Sequence, residues 1–175
     1  MPNEATATLN LASLLKRDPS VYELADSGSF FLDEGYMDEF SIEKPLSWRV
    51  RVQSTGDSEF LLTGSVWGEV LMPCRRCLED TLVNSRADFV YSLHYQPGLS
   101  ELDLVEQEDD EDYLVFGRPA VDLGQFLSEI FVVDLPLTAV CQDASTCKDL
   151  SLLYNNQPSE KQTPFANLVD IELES

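Results

Sequence analysis

Four cysteines give the sharpest chemical signal in this sequence. Cys74 and Cys77 form a C-x-x-C pair, and Cys141 and Cys147 form a second pair with five residues between them. A C-x-x-C in a turn between two strands lets both sulfurs converge on one ion, and four thiolates from two such segments make a closed tetrahedral zinc site. We therefore predict that the four cysteines lie together and are candidate ligands of a zinc ion.

Three other states of these cysteines stay open at this point. Unliganded thiols would pack as small hydrophobic side chains. A redox C-x-x-C is expected in a βαβ context where the motif opens a helix, and the sequence around Cys74 indicates strands instead. Disulfides are disfavoured, because the segment from Met1 to Thr8 lacks the basic and apolar regions of a secretory signal. We therefore expect a cytoplasmic protein with reduced thiols.

Charge is the second chemical feature of the chain. It has 32 acidic residues against 11 Lys and Arg, which gives a formal net charge of −21. Such a surface repels polyphosphates and anionic membranes over most of its area, which argues against a general nucleic-acid binder and against a peripheral membrane protein. The sequence has no apolar run long enough to cross a membrane. These features favour a soluble protein, and two roles of the charge stay open: binding of a basic partner, or simply keeping the protein soluble and monomeric.

The basic residues are concentrated in the middle of the chain. The segment 44–86 holds six of the 11 bases but only five of the 32 acids. Arg49 and Arg51 lie two apart on a predicted strand and so share one face. One hypothesis is contact with RNA or a partner protein, and the other is pairing with the protein's own surplus acids. The candidate residues for contact with RNA or a partner are Arg49, Arg51, Arg75, Arg76 and Arg86.

Alternating apolar and polar residues predict the strands that must position these side chains. Strands are expected over 47–55, 59–72 and 80–95, in one antiparallel sheet. Gly64 and Gly68, inside the second strand, indicate a β-bulge or a close approach of another chain segment. The C-x-x-C pair lies in the turn between the second and third strands.

Helical periodicity occurs at two places. A short amphipathic helix is expected over 10–15, and a longer one over 122–134 that ends before Pro136. Asp122 and Gln125 have the spacing of a capping box at the start of the longer helix. The apolar stripe predicted to pack on the sheet consists of Leu123, Phe126, Leu127 and Ile130.

The predicted organisation is a single α+β domain over 1–175, an antiparallel sheet packed with a few helices. Residues 98–113 are expected to form an acidic, flexible linker, because Glu101 to Asp112 holds eight acids and no base. We expect the protein to be a monomer.

Signals of catalysis are weak. His94 is the one histidine and lies in a predicted strand. The sequence has no nucleophile elbow, phosphate loop or glycine-rich nucleotide fingerprint. A small thiol-redox or hydrolytic enzyme that uses the C-x-x-C or His94 stays open as an alternative function.

Several blocks, in order, resemble the YceD family of large ribosomal RNA subunit accumulation proteins. Residues 64–79 are similar to the family's strand that leads into C-x-R-C-L-E. Residues 121–137 resemble its "I-D-L … E-x-I … L-P-L" helix, and 141–150 resemble its cysteine-bearing segment. Residues 163–168, T-P-F-A-N-L, are similar to its "N-P-F-A-x-L" tail.

The resemblance implies a non-enzymatic ribosome assembly factor that supports the accumulation of large-subunit (23S) rRNA. The partner that it implies is a basic large-subunit ribosomal protein or a pre-50S particle. Direct contact with rRNA stays open, and the five arginines would be the residues that make it.

Overall fold

The sheet dominates the fold of this chain in the computed structural model, which describes residues 6–16, 21–32, 34–36, 41–107, 112–142 and 147. Eight strands, two α-helices and one 3-10 turn are described, which confirms the predicted α+β class. In chain order they are β1 (Thr8–Asn10), α1 (Ala12–Leu15), β2 (Glu23–Phe30), the 3-10 turn (Glu34–Tyr36), β3 (Leu46–Gly56), β4 (Glu59–Pro73), β5 (Asp80–Tyr95), β6 (Asp103–Val105), β7 (Tyr113–Phe116), β8 (Ala120–Asp122) and α2 (Gly124–Val133).

Six strands form the main sheet, in the order β2-β3-β4-β5-β7-β6. The three predicted strands correspond to β3, β4 and β5, and they pair antiparallel as predicted. The sheet as a whole is mixed, because β7 runs parallel to β5. β1 and β8 form a separate antiparallel pair. Alternation therefore predicts the three long central strands but not the outer ones.

The inner face of the sheet packs against α2, as predicted from the apolar stripe. The ring of Phe126 lies 5.3 Å from the rings of both Phe89 and Tyr91 on β5, edge-on in each case. Leu127 is fully buried and Leu123 nearly so. Edge-to-face contacts of this kind add to the stabilisation from burial, so α2 is part of the core.

Two glycines on β4 mark close approaches rather than a bulge. The pairing of β4 with β3 is continuous through Gly64, and the register shifts only between Ser54 and Gly56. A Cβ atom at Gly64 would lie 2.7 Å from the carbonyl oxygen of Arg49. The side chain of Leu46 occupies the space beside Gly68 in the same way. Of the two predicted possibilities, the close approach is confirmed.

The start of α2 departs from the predicted capping box. The carboxylate of Asp122 accepts a hydrogen bond from the backbone N–H of Gly124 at 2.8 Å. Leu123 occupies the N-cap position, so Gln125 is one residue too early to complete the box. Its side chain instead donates to Glu129 at 3.2 Å. The capping-box prediction is therefore wrong, although Asp122 does satisfy one amide of the first turn.

The predicted acidic linker contains a strand. Within 98–113, β6 pairs antiparallel with β7, which begins at Tyr113. The flexibility of the segment stays a prediction, and its residues 108–111 lie outside the described part of the chain. The T-P-F-A-N-L block at 163–168 also lies outside it. No helix among the described residues is long and apolar enough to span a membrane.

Candidate metal centre and basic surface

The C-x-x-C motif lies in the turn that joins β4 to β5. The N–H of Cys74 donates to the carbonyl of Glu79 at 2.9 Å, and the N–H of Leu78 donates to the carbonyl of Cys74 at 2.8 Å. Leu78 adopts a φ of 61°, in the left-handed region, which lets the chain reverse within a few residues. The turn holds Cys74 and Cys77 on the same end of the sheet, and both are buried.

Backbone contacts bring the second cysteine pair to this turn. The N–H of Arg75 donates to the carbonyl of Ala139 at 3.0 Å. Cys74 and Ala139 also form an isolated parallel bridge. Since Ala139 follows α2 and precedes Cys141 by two residues, the packing of α2 on the sheet determines where the second pair lies.

The four sulfurs form one cluster, named here the thiol cluster. All four Sγ atoms lie within 4.8 Å of one another. The Sγ atoms of Cys77 and Cys141 are 3.5 Å apart, and those of Cys74 and Cys147 are 3.8 Å apart. Thiolates on one tetrahedral zinc ion, at the usual Zn–S distance, lie about 3.8 Å from each other. The predicted convergence is confirmed, and the donor set fits a four-sulfur metal site.

Hydrogen bonds from backbone amides favour the thiolate form of Cys74. Its Sγ accepts from the backbone N–H of Arg76 at 3.5 Å and from that of Cys141 at 3.4 Å. The amide of Arg76 makes the largest contribution to lowering the pKa of Cys74 to about 6. Amide donors aimed at a sulfur stabilise the thiolate, which is the form that binds metal.

The thiols of Cys141 and Cys147 are shifted in the opposite direction, towards the protonated form. Burial raises the pKa of Cys147 to about 12, with further increases from its contacts with the neighbouring sulfurs. The hydrogen bond with Cys77 raises the pKa of Cys141. A divalent cation at the centre of the cluster would favour the thiolate form of all four cysteines, because it would attract each sulfur directly.

His94 lies far from the thiol cluster. It is near the end of β5, whereas the cluster adjoins the start of β5 at Asp80, on the order of 45 Å away along the strand. Its ring stacks beside that of Tyr113, with centroids 4.6 Å apart. The described structure therefore does not bring the histidine and the thiols of the alternative enzyme hypothesis into one site.

Three of the five candidate arginines lie on the outer face of the sheet, opposite α2. Two neighbouring side chains hold the guanidinium of Arg86 in place. Its Nη2 lies 3.0 Å from Asp88 Oδ1 and 3.3 Å from Ser65 Oγ. Its guanidinium carbon is 5.7 Å from the centroid of the Trp67 ring, within cation–π range. We name the set Arg49, Arg51, Trp67 and Arg86 the basic face.

The other two arginines of this face differ in their pairing. Arg51 Nε lies 3.6 Å from Glu23 Oε1, a loose ion pair. Arg49 is exposed and makes no ion pair with the described residues. Self-pairing with acids thus accounts for Arg51 and Arg86 but not for Arg49.

The remaining two arginines form a separate group. Arg75 and Arg76 are exposed and lie in the C-x-x-C turn, beside the thiol cluster. The five candidates therefore do not form one continuous patch along a single strand face. Trp67 was not among the predicted site residues, although its outward position follows from the alternation of β4, where Val66 is buried and Trp67 is half-buried.

The fold and the site describe a small α+β protein with a four-thiol cluster at one end of its sheet. The family model described as "Large ribosomal RNA subunit accumulation protein YceD" matches residues 62–172, more than half of the chain, and the chain belongs to this family. The matched range contains both cysteine pairs and α2. Neither the search of curated proteins nor that of solved structures found a match.

Proposed function

We propose that this chain is a non-enzymatic assembly factor that supports the accumulation of large-subunit 23S rRNA. Membership of the YceD family, over residues 62–172, is the observation that carries the proposal. The separation of His94 from the thiol cluster disfavours an enzyme that uses both groups in one site; an enzyme that uses the C-x-x-C or His94 alone is the alternative function. The protein acts in the cytoplasm as a monomer, and it associates with a pre-50S particle or with a basic large-subunit ribosomal protein.

Charge supports a basic ribosomal protein as one partner. With a net charge of −21, the carboxylates of this chain take the place of rRNA phosphates around a cationic protein that has not yet reached its site. Such contacts weaken as salt rises, because the charges lie in solvent. Arg49, Arg51, Arg75, Arg76 and Arg86 serve as the contacts with RNA or with a partner protein on the same particle.

The thiol cluster holds a structural zinc ion under this proposal. Cys74, Cys77, Cys141 and Cys147 supply four sulfurs, which complete the tetrahedron and leave no position for water or substrate. The metal would connect the turn between β4 and β5 to the segment after α2. Its contribution is to stability rather than to a reaction, since metal binding of this kind is coupled to folding.

Sedimentation tests the proposed function. In gradients of a cell extract, we expect the protein to migrate with precursors of the large subunit at low salt and to dissociate as salt increases. A deletion strain should accumulate less 23S rRNA relative to 16S rRNA, and a plasmid copy of the gene should restore the ratio. Unchanged rRNA ratios in the deletion strain, together with loss of a thiol-dependent activity, would contradict the proposal and favour the enzyme.

A further inference from the structure

The basic face is a local exception on an acidic protein. The side chains of Arg86 and Arg51 are 62% and 59% exposed, although each lies near an acid. Exposed ion pairs contribute little free energy, so an anionic ligand can replace Asp88 as the partner of Arg86, or Glu23 as the partner of Arg51, with little loss of stability. Arg49 is free of ion pairs with the described residues. The helix α2 does not cover this face, because it packs on the opposite side of the sheet.

A cleft adjoins Trp67 and Arg86 at the edge of the basic face. It has a volume of about 390 Å³, within the range of small-molecule sites. Asn84 is exposed there and offers both a donor and an acceptor. The lining of the cleft includes one carboxylate, that of Glu69. This carboxylate is paired with Lys44 at 2.9 Å, which reduces its repulsion of an anion. The lining residues are Trp67, Gly68, Glu69, Asn84, Ser85 and Arg86.

This combination of groups matches the chemistry of a nucleotide. An indole ring and a guanidinium plane offer stacking surfaces for a base, and the Asn84 amide can hydrogen-bond the edge of that base. Arg49 and Arg51 are about 7 Å apart along β3 and offer charge to the phosphates of the strand. A duplex hides the faces of its bases, so the arrangement suits an unpaired strand.

We propose that the basic face binds single-stranded RNA, with one base placed in the cleft against Trp67 and Arg86 and adjacent phosphates on Arg49 and Arg51. The inference rests on the proposed function, since the RNA available to an assembly factor is unpaired rRNA of the precursor. Because the net charge of the chain is −21, most of the surface outside this face repels phosphate, and the site takes a short stretch of strand.

Fluorescence anisotropy with a short, dye-labelled oligouridylate tests the inference on the full chain. Trp67→Leu should weaken binding about ten-fold or more, because it removes the stacking surface, whereas Trp67→Phe should retain most of the affinity. Arg49→Gln with Arg51→Gln should reduce the slope of log affinity against log salt by about 1.4. The charge-matched control, Lys16→Gln with Arg118→Gln, changes exposed cations away from this face and should leave the slope unchanged.

The outcomes separate this inference from the proposed function. Absence of oligouridylate binding by the wild type overturns the inference, as does an equal loss in the control variant. If Trp67→Leu instead abolishes sedimentation with precursors while the wild type binds no RNA, the occupant is a protein and the inference is wrong. Wild-type protein that binds oligouridylate but never sediments with precursors contradicts the proposed function alone. Circular dichroism of each variant verifies that it is folded.

Discussion

Removal of zinc from the thiol cluster should destabilise the protein by an amount that follows from chain connectivity. The proposed zinc ion would join Cys74 to Cys141, which are 67 residues apart in the chain. Closing a loop of that length costs the unfolded chain about 4 kcal/mol in conformational entropy, by the relation used for disulfides. This is an upper value, because a C-x-x-C pair in the unfolded chain also holds some zinc.

Calorimetry measures the loss of stability that follows removal of zinc as a decrease in Tm. For a chain of this size, about 4 kcal/mol corresponds to a decrease of about 8–16 °C in Tm. We expect that decrease when a chelator is added to the zinc-loaded protein, and its reversal when zinc is restored in excess. Cys77→Ser is the matched control, since it keeps the shape of the side chain but removes one ligand. Its Tm should lie near that of the chelated wild type and should not respond to chelator.

Three results would refute this reasoning. The first is protein purified without chelator that holds no zinc and has four freely titrating thiols. The second is a Tm that stays constant while metal analysis shows that zinc has left, because the metal would then not connect the two segments. Equal chelator sensitivity in Cys77→Ser would place the metal elsewhere.

Two further predictions concern the elements that position the cluster. Phe126→Ala should lower the free energy of unfolding by about 3–5 kcal/mol in denaturant titration, since the ring is buried against the sheet, whereas Val133→Ala, at a position 86% exposed, should change it by less than about 0.5 kcal/mol. In the same titration, Asp122→Ala should lower the free energy of unfolding by about 0.5–2 kcal/mol, because it removes the acceptor for the Gly124 amide. Asp122→Asn keeps an oxygen at this position and should lower it by less. Equal decreases in the two variants would contradict a capping role.

The central fold follows from sequence because its signals are strong and local. In β3, β4 and β5, apolar and polar residues alternate over many positions. In α2, the helical spacing of the apolar stripe that contains Phe126 and Leu127 determines which side is buried. The meeting of the cysteines also follows, because a turn between strands and the segment after a packed helix can reach the same end of a sheet. Here each long-range contact is determined by a periodic element.

The elements missed by sequence analysis lack such a pattern. β2 is rich in small and polar residues, such as Ser27 and Gly28, so nothing in its composition predicts a strand. β6 is hidden among acids, and its pairing with β7 depends on tertiary contact. The basic face was predicted only in part, because the position of Trp67 beside Arg86 depends on the register between β4 and β5.

The pairing of β1 with β8 has a consequence for how the chain folds. Thr8 pairs with Asp122, and the N–H of Leu123 donates to the carbonyl of Ala7 at 2.8 Å. At a synthesis rate of about 5–20 residues per second, β8 is synthesised about 6–20 seconds after β1. The two strands cannot pair before then. Contacts of such long sequence separation slow folding, because loop closure precedes the gain from pairing. Leu9 is fully buried in the folded protein. We therefore expect it to be among the last apolar side chains that become buried during folding.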